Sequence, residues 1–126
     1  MSDNLGKRDL IGVVGPCSAG KTTLISKLQN IGYQCRHIAQ EHSYVRDMWQ
    51  RIVDPQILIF LDVSYEISMK RKQLNMNSRE FDEQLARLEH ARQYANIYIQ
   101  TDQLTPGEVF EMILSRLEDY GIQSSE

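Results

Sequence analysis

The segment LIGVVGPCSAGKTTL, Leu10 to Leu24, decides how the rest of the chain is read. Leu10 to Val14 is apolar apart from Gly12, the pattern of a strand buried on both faces. From Thr22 onward Leu24, Leu28 and Ile31 recur on one helical face, and Gly32 is placed to end that helix. Between strand and helix, Gly15-Pro16-Cys17-Ser18-Ala19-Gly20-Lys21-Thr22 satisfies G-x-x-x-x-G-K-[ST] at every specified position.

A strand, a glycine loop and a helix start, in that order, make an anion cradle. Gly15 and Gly20 allow backbone conformations that turn successive N–H groups inward, and the helix start adds the positive end of its dipole. The expectation is that Gly15, Pro16, Cys17, Ser18, Ala19, Gly20, Lys21, Thr22 and Thr23 hold the phosphates of ATP. Lys21 would reach the terminal phosphates as a catalytic cation, and the Thr22 hydroxyl would ligate Mg²⁺.

The downstream elements follow from periodicity and turn chemistry. A second strand is expected over Cys35 to Gln40, then a short helix capped by Ser43 that carries Tyr44, Val45, Met48, Trp49 and Ile52 on one broad face. Asp54-Pro55 marks a turn before ILIFL, Ile57 to Leu61, the clearest strand in the chain. Ser64 begins a helix bearing Ile67 and the basic run Lys70-Arg71-Lys72, and Gln73 to Ser78 reads as a loop. A longer helix with Phe81, Leu85, Leu88 and Ala95 leads to a strand over Asn96 to Thr101. Thr105-Pro106-Gly107-Glu108 is a capping box with proline at the first helical position, opening a last helix with Val109, Ile113 and Leu117.

Strands alternating with helices require parallel strands and right-handed crossovers. The expected fold is therefore α/β, a three-layer α/β/α sandwich around a mostly parallel sheet of about four strands, in one domain spanning residues 1 to 126. Ligands in such folds bind at the carboxyl ends of the strands, which here carry Gly15, Glu41, Asp62 and Asp102. With one strand between the glycine loop and ILIFL, a sheet order of 2-1-3-4 would set Glu41 beside the loop.

Composition narrows the function classes. A net charge of -3 argues against a general nucleic-acid binder. No apolar run approaches a membrane span, and MSDNLGKRD lacks a secretory apolar core. The two cysteines, Cys17 and Cys35, suit neither a disulfide framework nor a zinc spacing. A cytoplasmic protein without nucleic-acid or membrane partners is the expectation.

The phosphate-loop segment resembles that of P-loop kinases acting on nucleotides and other small molecules. The likeness extends to DPQILIFLDVSYEISMKRK, Asp54 to Lys72, which is similar to a strand and helix of thymidylate-kinase-like enzymes. It also extends to IQTDQLTPGEVFEMIL, similar to their last strand and helix. The resemblance implies the P-loop NTPase fold, ATP and Mg²⁺ as cofactors, and arginines closing over the transferred phosphate from a lid. Arg71 and Arg79 flank the polar loop in the matching place. Such kinases run longer, with five strands and an inserted acceptor-binding region, whereas here Cys35–Gln40 leads almost directly to ILIFL. Glu41-His42-Ser43 stand where those enzymes have Asp-Arg-[Tyr/His], and no Asn-Lys-x-Asp guanine motif is present.

Two acids compete for the magnesium shell. Glu41 lies at the end of the strand expected next to the loop and would also serve as the proton acceptor; Asp62 ends the most hydrophobic strand. Each has an ordinary reading as a solvated strand-end or helix-supporting carboxylate. The leading expectation is an ATP- and Mg²⁺-dependent phosphotransferase on an unidentified small molecule. Alternatives are a nucleotide-binding sensor module acting through a protein partner, and a slow NTPase working as a homodimer with an arginine from the neighbour.

Overall fold

In the computed structural model, residues 9–72 and 76–124 are described. Four strands form an all-parallel sheet: β1 (Ile11–Val14), β2 (Cys35–His37), β3 (Ile57–Asp62) and β4 (Ile97–Gln100), in the order β2-β1-β3-β4. Around it lie α1 (Lys21–Asn30), α2 (Tyr65–Lys72), α3 (Ser78–Tyr94) and α4 (Pro106–Asp119). The order matches the 2-1-3-4 arrangement expected from the sequence, with β1 between β2 and β3.

The alternation of each strand builds two cores. Ile11 and Val13 of β1, with Ile57, Ile59 and Leu61 of β3, pack against Leu24, Ile25 and Leu28 of α1 and Val109, Ile113 and Leu117 of α4. Val14, Leu58 and Phe60 face the other way, against Leu88 and Ala91 of α3 and Trp49. All but the last residue of β3 is buried, so ILIFL reads as a continuous apolar run because both of its faces are covered.

Helix boundaries follow local chemistry. The capping box at Thr105 forms as expected, with the Thr105 hydroxyl accepting from Glu108 N–H and the Glu108 carboxylate accepting from Thr105 N–H. An equivalent box that pattern reading left unassigned, Asn77 with Glu80, starts α3. The Ser64 hydroxyl accepts from Ile67 N–H at the start of α2. Residues 73–75 of the expected polar loop lie outside the described residues.

The expected helix after Ser43 is replaced by turns. Ser43 caps no helix; its hydroxyl accepts from Val45 N–H two residues on. A 3₁₀ turn spans Gln40–His42 and a single π-helical turn spans Trp49–Val53. Of the apolar face foreseen there, Trp49 is buried and Met48 packs beside it, but Tyr44 and Ile52 are 88% and 72% exposed. The physical reason is Gln40, which is fully buried: its side-chain amide donates to Val45 O (2.8 Å) and accepts from Trp49 N–H (2.8 Å). A buried amide satisfied by these backbone groups holds the segment in turns. No described helix is long and apolar enough to cross a membrane.

Candidate functional site

The Gly15–Thr22 loop leaves β1 under tight constraint. Gly15 has φ +152°, and a Cβ there would sit 2.0 Å from the carbonyl oxygen of Leu61 on β3. Ser18 has φ +70°, and Gly20, at +98°, is the residue from which α1 starts. The first turn of α1 offers N–H groups without an intrahelical acceptor.

Lys21, the first residue of α1, folds back over this loop and is 7% exposed. Its ammonium donates to Gly15 O (2.6 Å), Pro16 O (3.0 Å) and Glu41 Oε2 (3.0 Å), which uses all three donors of the group. Glu41 arrives from the 3₁₀ turn after β2, the neighbour of β1, and its side chain is 4% exposed. Its other oxygen, Oε1, is buried with no hydrogen-bond partner, as is the Ser18 hydroxyl. The Arg87 guanidinium donates to the Glu41 carbonyl (3.2 Å) and lies 4.5 Å above the Tyr44 ring.

The loop forms one wall of a cavity of about 550 Å³, whose lining includes Lys21, Thr22, Thr23, His37, Glu41, Arg71 and Thr101. Arg71, from the end of α2, donates to Ser18 O (3.1 Å), Thr101 Oγ1 (3.0 Å) and Thr101 O (2.6 Å). It ties the loop to the end of β4. Leu104, Pro106 and Val109 add apolar lining to the same cavity. Desolvation and the nearby Lys21 ammonium hold the His37 imidazole below the usual histidine range, with Glu41 acting the other way.

The residues singled out in the sequence divide accordingly. Lys21, Thr22, Glu41 and Arg71 are brought together with the loop. Asp62 is not among the residues lining the cavity: its Oδ1 accepts from Val63 N–H and its Oδ2 from the Tyr98 hydroxyl. The Tyr98 ring stacks on Phe60, so Asp62 belongs to the sheet face opposite Leu61 and α1. Arg79 is exposed in the first turn of α3 and does not line the cavity either. Asp102 accepts from Ser64 N–H (2.9 Å); burial pushes its carboxyl up, but bonds from Ser64 and Gln100 and the Arg71 charge leave it below the usual range.

Three contributors were not foreseen. Gln84 of α3 accepts from Cys17 N–H (3.1 Å) and donates to Cys17 Sγ (3.2 Å), while the Ser68 hydroxyl donates to Cys17 O (3.0 Å). Together they fix the tip of the loop. Gln84 is legible in retrospect, because the buried face of α3 is Phe81, Gln84, Leu88 and Ala91, and one polar residue in an apolar stripe needs a polar partner. His37 follows from strand pairing, since it stands opposite Val13 on β1.

The cysteines have separate fates. Cys35 is buried on β2 and burial pushes its thiol up to about 12, whereas Cys17 is half-buried at the loop. Because the thiolate is the reactive form, native protein at mildly alkaline pH is expected to take up one equivalent of iodoacetamide, at Cys17. Mass spectrometry of Cys17→Ser checks this: the native variant should remain unlabelled, and rapid labelling of Cys35 would contradict its assigned burial.

Compared with known proteins, the chain matches no family model and no curated protein.

Proposed function

We propose that this chain is a nucleoside-triphosphate-binding domain of the P-loop type, with its helices and sheet in a three-layer arrangement, acting as an ATP- and Mg²⁺-dependent phosphotransferase on a small molecule. The observation that carries the reading is the buried Lys21 ammonium, held at the head of α1 by two loop carbonyls and by Glu41, on the wall of a cavity. A buried cation in a ring of backbone dipoles is a pre-positioned counter-charge for phosphate.

In this reading the loop and the first turn of α1 hold the triphosphate through N–H groups. Lys21 turns donors from Gly15 O and Pro16 O toward the transferred phosphate. The Thr22 hydroxyl and the unpartnered Glu41 Oε1 fit a magnesium shell, because a buried carboxylate oxygen without a donor is a vacant acceptor for a hard cation or its water. The ion would neutralise phosphate charge. Glu41 would also take the proton of an acceptor hydroxyl, as a carboxylate on the cavity wall. Arg71, bonded to Ser18 O and Thr101, positions the loop. The two unpaired cysteines suit a reducing, cytoplasmic setting.

A sensor module is the second reading. It is favoured by the exposed Tyr44, Val45 and Ile52 on the turns after Glu41, an apolar surface fit for a protein partner. Calorimetry with MgATP, followed by ADP release across a panel of nucleosides, sugars and cofactor precursors, separates the two. Binding with turnover on one acceptor class is the expected result. Binding without turnover across the panel selects the sensor, and no binding removes both.

A further inference from the structure

We propose that Cys17, Glu41 and His42 form a binding site for a thiophilic divalent cation of the Zn²⁺ kind. One donor atom from each residue lies within 4.8 Å of the others. His42 Nε2 is 3.7 Å from Glu41 Oε2, and Glu41 Oε1 is buried without a partner. The site thus brings a thiol and an imidazole beside a buried carboxylate, one of whose oxygens has no partner.

The donor set selects the metal. Thiolate, imidazole and carboxylate together suit Zn²⁺, Co²⁺ or Cd²⁺ and not Mg²⁺, which takes oxygen donors. A tetrahedral ion with Zn–S of about 2.3 Å and Zn–N and Zn–O of about 2.0–2.2 Å needs its donors roughly 3.3–3.7 Å apart. His42, whose side chain is 60% exposed, has room to turn toward the other two donors. Gln84 already donates to Cys17 Sγ at 3.2 Å, the outer-shell bond that orients a ligating thiolate. Lys21 stands 3.0 Å from Glu41 Oε2 and neutralises that oxygen, which leaves Oε1 to the metal. On binding, the Cys17 S–H bond breaks, its proton passes to solvent, and the sulfur lone pair goes to the ion. The site shares Glu41 Oε1 and the Cys17 loop with the proposed nucleotide site, so the two metals exclude each other there, and a test without nucleotide reads this site alone.

The full chain titrated with Co²⁺ in the absence of nucleotide tests it. One equivalent should produce a thiolate-to-cobalt band in the near ultraviolet and intense tetrahedral bands in the visible, both displaced by Zn²⁺. Cys17→Ser should abolish the thiolate band and Cys35→Ala should leave it unchanged. His42→Ala, a change on an exposed side chain, should weaken Co²⁺ binding by at least the roughly 10- to 100-fold that loss of an outer-shell partner alone produces. A six-coordinate spectrum without the sulfur band, a band that survives Cys17→Ser, or unchanged affinity in His42→Ala would overturn the site.

Discussion

Lys21→Ala is expected to destabilise the protein even before any nucleotide is added. The substitution leaves the Glu41 carboxylate, 4% exposed, without its cation and strips Gly15 O and Pro16 O of their donor. Breaking a buried pair by removing one partner costs about 3–5 kcal/mol. For a chain of this size that lowers the melting temperature by roughly 10–20 °C. A double variant, Lys21→Met with Glu41→Gln, should recover most of the loss, because neutral groups of similar volume carry no uncompensated charge. The same experiment reads function. MgATP at about 100 times its Kd should stabilise the parent by about 2.7 kcal/mol. It should leave both Lys21 variants unmoved, since neither carries the ammonium. A Lys21→Ala protein that melts with the parent would show that the pair contributes nothing. A double variant that recovers its stability but still responds fully to MgATP would remove Lys21 from the phosphate site.

The two outcomes have one structural origin. A lysine that holds a loop together through its own carbonyls is a strut while the site is free, and a ligand must compete with that strut. Glu41 is the other half of the device. Its Oε2 is committed to Lys21 and its Oε1 to nothing, so any cation reaching the cavity meets a half-used carboxylate.

How much of this could be read in advance follows from what each residue answers to. The sheet was legible because Ile57 to Leu61 and Leu10 to Val14 declare double-sided burial, and a connection of about twenty residues between β2 and β3 leaves little room for another strand. Glu41 was legible through that order alone, by counting which strand end must lie beside the loop. The segment from Ser43 to Val53 was misread because its periodicity is real while Gln40, a residue outside the window, decides the conformation through buried bonds to Val45 O and Trp49 N–H. Asp62 was ambiguous for a simpler reason. A residue ending a strand points to one face or the other, and Tyr98 on the adjacent strand, bonded to its carboxylate, stands on the face away from α1. Gln84 and Ser68 reach Cys17 from 67 and 51 residues away, contacts that no local pattern encodes.

Gly15→Ala is expected to be the most damaging single change outside the charged pair, and a comparison with Gly20→Ala isolates the cause. Both glycines have positive φ, +152° and +98°, so both variants carry backbone strain of order 1–3 kcal/mol. Their surroundings differ. A Cβ at Gly20 meets nothing within 4 Å, whereas one at Gly15 would stand 2.0 Å from Leu61 O and 3.1 Å from Leu61 C. That obstacle is backbone, in the middle of the sheet, and Leu61 is itself fully buried and paired with Ile99 on β4. It cannot swing aside as a side chain would, so β1 and β3 must separate at the last pair of their register, Val14 and Phe60. The added cost places Gly15→Ala above about 4 kcal/mol, in the range reserved for specific steric or burial faults, against a total stability of about 5–15 kcal/mol. Gly20→Ala should stay folded with a cooperative transition, destabilised by strain alone. Urea unfolding of the two variants decides the matter. Equal, modest losses would mean that the approach of β3 to the loop is looser than 2.0 Å requires. A collapsed Gly15→Ala beside an intact Gly20→Ala would show that the glycine at the start of the loop is there for the Leu61 carbonyl, and only secondarily for its own φ.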